Sequence, residues 1–467
     1  MSVSQSNWGP HPRGRLPVGA PRPGTTTARG PEASAGPAGP GSALRVLIVH
    51  NRYRSQSPSG ENRVVDQEYD ALGRAGHTVE RLERFSDDVA GFSWAQKAAL
   101  PAEALWSTRA ARSLSHTLEA FDPDVVHVHN LFPLLSPSVM YSCRRHRIPV
   151  VATIHNYHLI CTSGVLFRSG AVCHECVGKH PLPAVRHRCY QGSAPSSALR
   201  AATSMVHHHA WRTMPSAYIF LSEAQRSEFA SLDLTADRCF VKGNLVPPAP
   251  PRADTENLVV FLGRMNDEKG LPLLMEAWDL FDGDRRHPRL RLALAGAGPL
   301  ESAVRAWARQ RPSVEFVGLQ SPAQCASLLA RARAAVVPSQ WREPFGLVAA
   351  EAMAAGVAPI APAHGSFPEL ITDGVDGVLY PSGDAAELAK AFSSAADRPD
   401  WFDALGGNAR RTYDRRFEPR ANIRQLEAIY RFAIGSPTWL GSSPAGATGR
   451  SGGGTDVAAI PLREAPR

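Results

Sequence analysis

No run of about eighteen uninterrupted apolar residues occurs in the 467-residue chain, so a membrane-spanning helix is not expected. Residues Met1 to Ser42 also lack the short apolar stretch of a secretory leader. A cytoplasmic protein is therefore expected, a compartment in which thiols stay reduced. Basic residues outnumber acidic ones by 51 to 43, for a formal net charge of +8. They form no dense block, and no aromatic residues interleave with a basic stripe, which argues against a nucleic-acid partner. What remains for the positive charge is a phosphorylated small molecule or an acidic membrane surface. The apolar share of 43% fits a globular protein, and the length suggests two domains plus tails.

Residues 1–43 and 435–467 are rich in Pro, Gly, Ala and Ser. They carry too little apolar surface to offset their conformational entropy, so both are expected to be disordered tails. Between them, short apolar runs alternate with helical patterns, the signature of parallel βαβ units. LRVLIVH (44–50) opens a first domain over 44–245, with DVVHVHN (124–130), VVATIHN (150–156) and AYIFLS (217–222) as further strands. A Pro-rich linker is expected over 246–256. The pattern restarts with NLVVFLGR (257–264), giving a second domain over 257–415 and a helical segment over 416–434. Two doubly wound α/β domains place a central cleft at their strand C-termini, where ligands of such sheets bind.

In the second domain, EPFGLVAAE (343–351) joins a strand-end loop to a helix beginning near Gly346. First-turn amides at Gly346 and Leu347 would make an anion site suited to a diphosphate. Glu343 and Glu351 can accept hydrogen bonds from hydroxyl groups. LGRMNDEKG (262–270) places Arg264 and Lys269 on the same strand-end side, with a guanidinium that suits phosphate oxygens. AGAGPL (295–300) ends another strand with Gly296 and Gly298, residues that permit close backbone approach.

This set resembles the retaining family 4 glycosyltransferases of the GT-B fold, over roughly residues 44–434. The resemblance implies a nucleoside diphosphate sugar donor whose diphosphate is neutralised by Arg264 and Lys269 and capped by the Gly346 and Leu347 amides. It implies that Glu343 holds donor sugar hydroxyls, that Glu351 holds the ribose, and that backbone near Val317 contacts the base. Gly60, in the loop before the first helix, matches the family's small-residue donor loop, with Ser59 where a glycine is usual. His155, at the end of VVATIHN, matches a family histidine that reaches the reacting sugar. His129 and Asn130 are weaker candidates. No catalytic metal is implied, and Asp122-Pro-Asp124 is better explained as a strand-entry turn. His207-His208-His209 is expected on a solvated helix face, since consecutive helical residues point in different directions.

Cys161, Cys173, Cys176 and Cys189 read C-x11-C-x2-C-x12-C through an insertion over 161–190. A CxxC knuckle with two outlying thiols can close a tetrahedral structural Zn²⁺ site. Four unligated thiols, or two disulfides, remain open alternatives.

The function expected from these residues is retaining transfer of a hexose to a hydroxyl acceptor, a glycan or glycolipid, with peripheral contact at the inner membrane face. No residue is an evident covalent nucleophile. The alternatives are a GT-B nucleotide-sugar epimerase or hydrolase, and a non-catalytic module built on the zinc knuckle.

Overall fold

The computed structural model describes residues 42–53, 59–250, 252, 254–283 and 290–436. The two expected tails therefore lie outside the described residues, apart from 42–43 and 435–436.

Two six-stranded parallel sheets organise the chain. The first contains β1 (Arg45–Arg52), β2 (Thr78–Phe85), β3 (Val125–Val128), β4 (Val150–Ile154), β7 (Ala217–Phe220) and β8 (Cys239–Val241). A short antiparallel hairpin, β5 (Phe167–Arg168) and β6 (Ala171–Val172), stands apart from it. The second sheet contains β9 (Leu258–Leu262), β10 (Arg291–Ala295), β11 (Val314–Gly318), β12 (Ala334–Val336), β13 (Ala358–Pro362) and β14 (Val378–Tyr380). Central strands such as β4 and β9 are buried at every residue. This is why they appear in the sequence as continuous apolar runs without alternation.

The spatial orders are β2-β1-β3-β4-β7-β8 and β11-β10-β9-β12-β13-β14. The direction of winding reverses between β1 and β3 in the first sheet and between β9 and β12 in the second. Such a reversal leaves a crevice outside the strand C-termini. The loops that follow β1, β3, β9 and β12 carry Gly60, His129, Asn130, Arg264, Lys269, Glu343 and Gly346, while His155 and the four cysteines follow β4, and Gly296 and Gly298 follow β10.

The first helix, Gly60–Arg74, is capped by Ser59, whose hydroxyl accepts from the Asn62 amide at 3.2 Å. It buries Val64, Val65, Ala71 and Leu72 against the first sheet, and with them Glu68. The last described helix, Pro419–Gly435, returns from the second domain and lays Ile423, Leu426, Ile429 and Tyr430 on the first-domain core. A mixed core joins the domains: Leu221 and Val246 pack with Phe345, Ala349, Met353, Tyr413 and Phe417. Of the expected linker, Val246 is buried, and Arg252 and Glu256 bind Asp403 and Arg331 of the second domain.

Asp122 and Asp124 behave as turn residues. Asp122 ends a helix in the left-handed conformation, and the Asp124 carboxylate accepts from the Arg45 amide at 2.7 Å. The solvated-face expectation for the histidine triplet fails at His207, which is 2% exposed and bonds the Leu105 carbonyl, while His208 and His209 are exposed. His207 closes a buried stripe with Arg200, Thr203 and Ala210, spaced three to four residues apart on the inner side.

Candidate active site

At the second-domain reversal, β12 leads into the loop 337–346, and helix Leu347–Ala354 starts from it. Gly346 caps this helix at φ 82° without help from any side chain. A Cβ on Gly346 would lie 2.7 Å from the Phe367 ring, so the position demands glycine for both conformation and space. The first-turn amides keep their hydrogen-bonding capacity for something other than a capping side chain.

Beside this helix start, Glu343 is 7% exposed and bonded by Lys269, with the Ser339 hydroxyl donating to the same oxygen at 2.7 Å. Burial alone would raise its pKa, but Lys269 and Ser339 hold the carboxyl below its usual value. Glu343 is therefore an anion with a fixed orientation. Lys269 sits in a short turn (Asp267–Lys269) one residue before Gly270, and its ammonium lies 5.3 Å from the centre of the Trp341 ring. Arg264, two residues beyond β9, is half-exposed and only 3.8 Å from Glu268, leaving most of its donors available to an incoming anion.

Gly296 and Gly298 do permit a close approach, and the partner is the protein's own backbone. A Cβ on Gly296 would fall 1.8 Å from the Gly263 carbonyl oxygen, and one on Gly298 would fall 2.5 Å from that of Met265. The two glycines seat the β10 loop against the β9 loop and so set the position of Arg264. The Val317 carbonyl accepts from the Gln320 side chain at 2.6 Å, and Gly318 follows in the left-handed region at φ 72°.

The first-domain reversal holds groups of another kind. His155 Nε2 and His129 Nδ1 share a hydrogen bond at 2.8 Å. Behind them, Lys242 and Glu68 form a buried ion pair at 2.9 Å, each about 2–3% exposed. The free oxygen of Glu68 faces His129 Nε2 at 3.7 Å, and both atoms are buried without a hydrogen bond. His127 is held on either side by Thr153 (2.7 Å) and by the Tyr430 hydroxyl from the returning helix (2.9 Å). Burial pulls His155 down to about 3, against the opposing pull of Glu68, and His127 and His50 down to about 4. These imidazoles are neutral at physiological pH. Burial has the opposite effect on Glu61, beside Gly60, raising it to about 8 although Tyr53 and Asn156 donate to it. Next to this group, His129, Phe132, His155, His158, Arg200 and Trp211 line a recess beyond the ends of β3 and β4.

The two reversals meet face to face. A Cβ on Gly60 would touch Leu347 at 3.4 Å, and the Tyr157 hydroxyl donates to the Arg342 carbonyl at 2.9 Å. The Ser222 hydroxyl donates to the Pro344 carbonyl at 2.7 Å, and Arg63 pairs with Glu351 at 2.6 Å. Burial raises the Glu351 pKa, and Arg63 opposes that rise. Thus Glu343, Lys269, Gly346, Leu347 and Glu351 converge with Gly60 at the domain boundary, two residues of chain from His155 by way of Tyr157.

The family model for Glycosyltransferase Family 4 matches residues 58–248, and that for Glycosyl transferases group 1 matches residues 246–412. The chain belongs to the family 4 glycosyltransferases. The GT-B fold of this glycosyltransferase is shared by sucrose-phosphate synthase of Thermosynechococcus elongatus, with a TM-score of 0.59 at 20% identity over 83% of this chain and 98% of that one. It is shared too by Anabaena HepE in complex with UDP-glucose, with a TM-score of 0.56 at 16% identity over 82% and 98% of the two chains. Among curated relatives, a D-inositol 3-phosphate glycosyltransferase of Corynebacterium kroppenstedtii is 34% identical over 41% of this chain and 44% of its own. A glycogen synthase of Mycobacterium tuberculosis is 29% identical over 61% and 62% of the two chains. The match therefore spans roughly half the length of these relatives.

Several groups at the glycosyltransferase's site were not singled out from the sequence. Glu61 stands directly after Gly60 and was legible as a donor-loop neighbour. Glu68 falls on the buried stripe of its helix, a position that charge rarely occupies without a partner. Arg63, Lys242 and Tyr430 carry no local signal, since their partners are remote in sequence.

Among the described residues, one trio, Glu68, His127 and His129, has ligand-capable atoms within 4.8 Å of one another. Lys242 already supplies its positive charge, and both His127 nitrogens are bonded. Cys161, Cys173, Cys176 and Cys189 are free thiols, all partly buried. Among the described residues, no three of their sulfurs lie within 4.8 Å of one another.

Proposed function

We propose that this protein transfers a hexose from a nucleoside diphosphate sugar to a hydroxyl acceptor with retention of anomeric configuration. One arrangement carries the reading: a helix start with uncapped amides, beside the Lys269–Glu343 pair, faces Gly60 across the domain boundary. The diphosphate takes the Gly346 and Leu347 amides together with Arg264 and Lys269, an electrostatic and preorganised way of stabilising a departing anion. Glu343, already ionised and fixed, accepts from sugar hydroxyls. Glu351 takes the ribose hydroxyls in place of Arg63. His155 is neutral, so it can donate or accept a hydrogen bond at the sugar without adding charge.

With no covalent nucleophile assigned, the acceptor hydroxyl attacks from the face the diphosphate leaves, and a phosphate oxygen takes its proton. Cationic side chains and amides carry the developing charge, so the scheme needs no catalytic metal. The UDP-glucose held by the HepE neighbour makes uridine and glucose the first donor components to try. A glycan or glycolipid acceptor at the inner membrane face suits the net charge of +8 and the first-domain surface, where Trp94 is 84% exposed and Val206 is 65% exposed.

The test is a panel of UDP-, GDP- and ADP-sugars screened by melting temperature and then by turnover, with the product anomer read by NMR. One donor should raise the melting temperature, as ligand linkage requires, and should give a product of unchanged configuration. A product of inverted configuration would sink the mechanism. A panel in which nothing binds would sink the donor site.

A further inference from the structure

Tyr157, Ile160 and Leu166 anchor the start of the segment that follows His155 in a core with Phe220 and Phe229, and beyond Leu166 the segment adds little to that core except the partly buried Phe167 and Val177. From Phe167 to Gly192, all described, Ala184 is the only buried residue. Six residues of that stretch, Ser169, Gly170, Gly178, Arg188, Gln191 and Gly192, have left-handed φ values between 51° and 81°. Regular structure amounts to the β5–β6 hairpin and one five-residue helix, Leu182–Arg186. Ordering each residue costs backbone entropy, and one buried alanine with the partly buried Phe167 and Val177 offsets only part of that over a stretch of this length. A cross-link would supply the rest, and the four cysteines are the cross-linking chemistry the segment holds.

Their surroundings favour a cation over disulfides. Cys176 opens a tight turn in which the Lys179 amide donates to the Cys176 carbonyl at 3.2 Å, with Gly178 left-handed at φ 66°. The Cys173 amide donates to the Leu166 carbonyl at 2.8 Å, and the Cys189 amide to that of Ala184 at 3.0 Å. A hydroxyl also meets one of the sulfurs, with Ser163 Oγ lying 3.2 Å from Cys161 Sγ. Hydrogen bonds to a sulfur are what a thiolate ligand uses and what a disulfide hardly needs. Protonated thiols do not attract one another, whereas a zinc ion draws four thiolates to about 2.3 Å from a common centre.

The same segment touches the second domain. Tyr157, four residues before Cys161, donates to the Arg342 carbonyl, one residue from Glu343. His174, inside the CxxC, bonds Glu228 at 2.9 Å, and Glu228 pairs with Arg342 at 3.2 Å.

We propose that Cys161, Cys173, Cys176 and Cys189 bind one zinc ion in a closed tetrahedral site, which braces this segment against the loop carrying Glu343. The metal is structural and open to no substrate.

The full chain, purified anaerobically with reductant, should carry about one zinc per chain by elemental analysis. Exchanged with cobalt, it should show the sulfur-to-metal charge-transfer absorption and the strong visible bands of a tetrathiolate. Cys173→Ser and Cys189→Ser should each lose the metal or shift those bands, while Cys325→Ser should keep both. Removing the metal should speed hydrogen exchange over 157–190 and over 339–345. Protein that neither contains metal nor takes up offered Zn²⁺ overturns the site, as does a native disulfide among the four. Retention of the metal and its spectrum by Cys161→Ser overturns the four-cysteine set. Unchanged exchange over 339–345 overturns the brace. If the serine variants do not fold, the cobalt spectrum of the unaltered protein still decides the ligand set.

Discussion

The two domains share an architecture yet furnish their strand ends in opposite ways. The first sheet presents neutral imidazoles and one protonated carboxyl, backed by a sealed ion pair. The second presents charge at the surface of the boundary: Lys269 against ionised Glu343, half-exposed Arg264, and the partial positive charge of a helix start. A reaction that separates a sugar from a diphosphate needs both kinds of wall. One stabilises the anion that leaves, and the other handles hydroxyl groups without competing for that anion. The difference also separates the roles of burial. In the first domain burial sets the protonation of the imidazoles and of Glu61, with pairing keeping only Glu68 ionised behind them; in the second, pairing holds Glu343 at the site ionised in spite of burial.

The largest effect that would break this contrast is expected at the ion pair behind the histidines. Lys242→Met leaves Glu68 buried without its partner, and breaking a buried pair by removing one member costs about 3–5 kcal/mol. The denaturation midpoint should fall steeply. Combining it with Glu68→Gln should recover much of the loss. If Lys242→Met melts like the unaltered protein, the pair is not the foundation of the first wall.

The next effect belongs to the second wall. Lys269→Ala removes a charge-assisted phosphate contact worth about 1.5–3 kcal/mol, so donor affinity should drop by about ten- to a hundredfold. Some stability should go as well, because Glu343 loses its counter-charge. Isothermal titration with the free nucleoside diphosphate measures the binding term. Unaltered affinity would show that Lys269 serves Glu343 alone.

Two isosteric changes then sharpen the picture within the second wall. Glu343→Gln should lower kcat more than it raises KM, by about tenfold or 1.4 kcal/mol, because charge beside the sugar matters most as its bond to phosphate lengthens. Glu351→Gln should act mainly on KM, since the ribose is held alike before and during reaction. Steady-state kinetics at saturating acceptor would expose a reversed pattern, and with it a donor bound the other way round.

Much of this contrast was legible in the sequence, and the part that was not has a physical cause. The strands stood out because a parallel sheet covered on both faces selects unbroken apolar runs, as in LRVLIVH. The helix start at Gly346 was legible because a strand end, a glycine and an apolar helix occur in order along a few residues. What stayed hidden is pairing across long separations: Lys269 to Glu343 over 74 positions, Lys242 to Glu68 over 174, Tyr430 to His127 over 303. His207 was misplaced because its buried stripe is built from arginine, threonine and alanine, whose polarity conceals the period. Gly296 and Gly298 were read as allowing close approach, and the atoms that approach them are the backbone of Gly263 and Met265, a distinction between ligand and backbone that a sequence does not carry.

The smallest effect is one of slope. With Glu61 raised to about 8, the folded protein holds a proton there that the unfolded chain releases above about 4.5. Stability from this group is therefore complete at low pH and is lost as pH rises from about 4.5 toward 8. The depressed histidines act in the opposite sense and lower, costing stability as pH falls below about 6.5. Glu61→Gln should flatten the decline of melting temperature between pH 6 and about 8.5 and leave the acid side unchanged. An identical slope in the variant would place the Glu61 proton elsewhere.

The chain passes between the domains twice, near Val246 and again near Phe417, and the two passages run side by side. Tyr413 donates to the Val246 carbonyl at 2.9 Å on one side, and Asn422 donates to the Gly243 carbonyl at 2.9 Å on the other. A body suspended from a single thread can swivel in any direction. One suspended from two threads laced together behaves like a door on a leaf hinge: it swings across the plane of the pair and resists twisting about it. The contacts such a swing would make and break include Arg63 with Glu351 and Gly60 with Leu347. The chain's return to its first half thus narrows the directions in which the two domains can turn against each other.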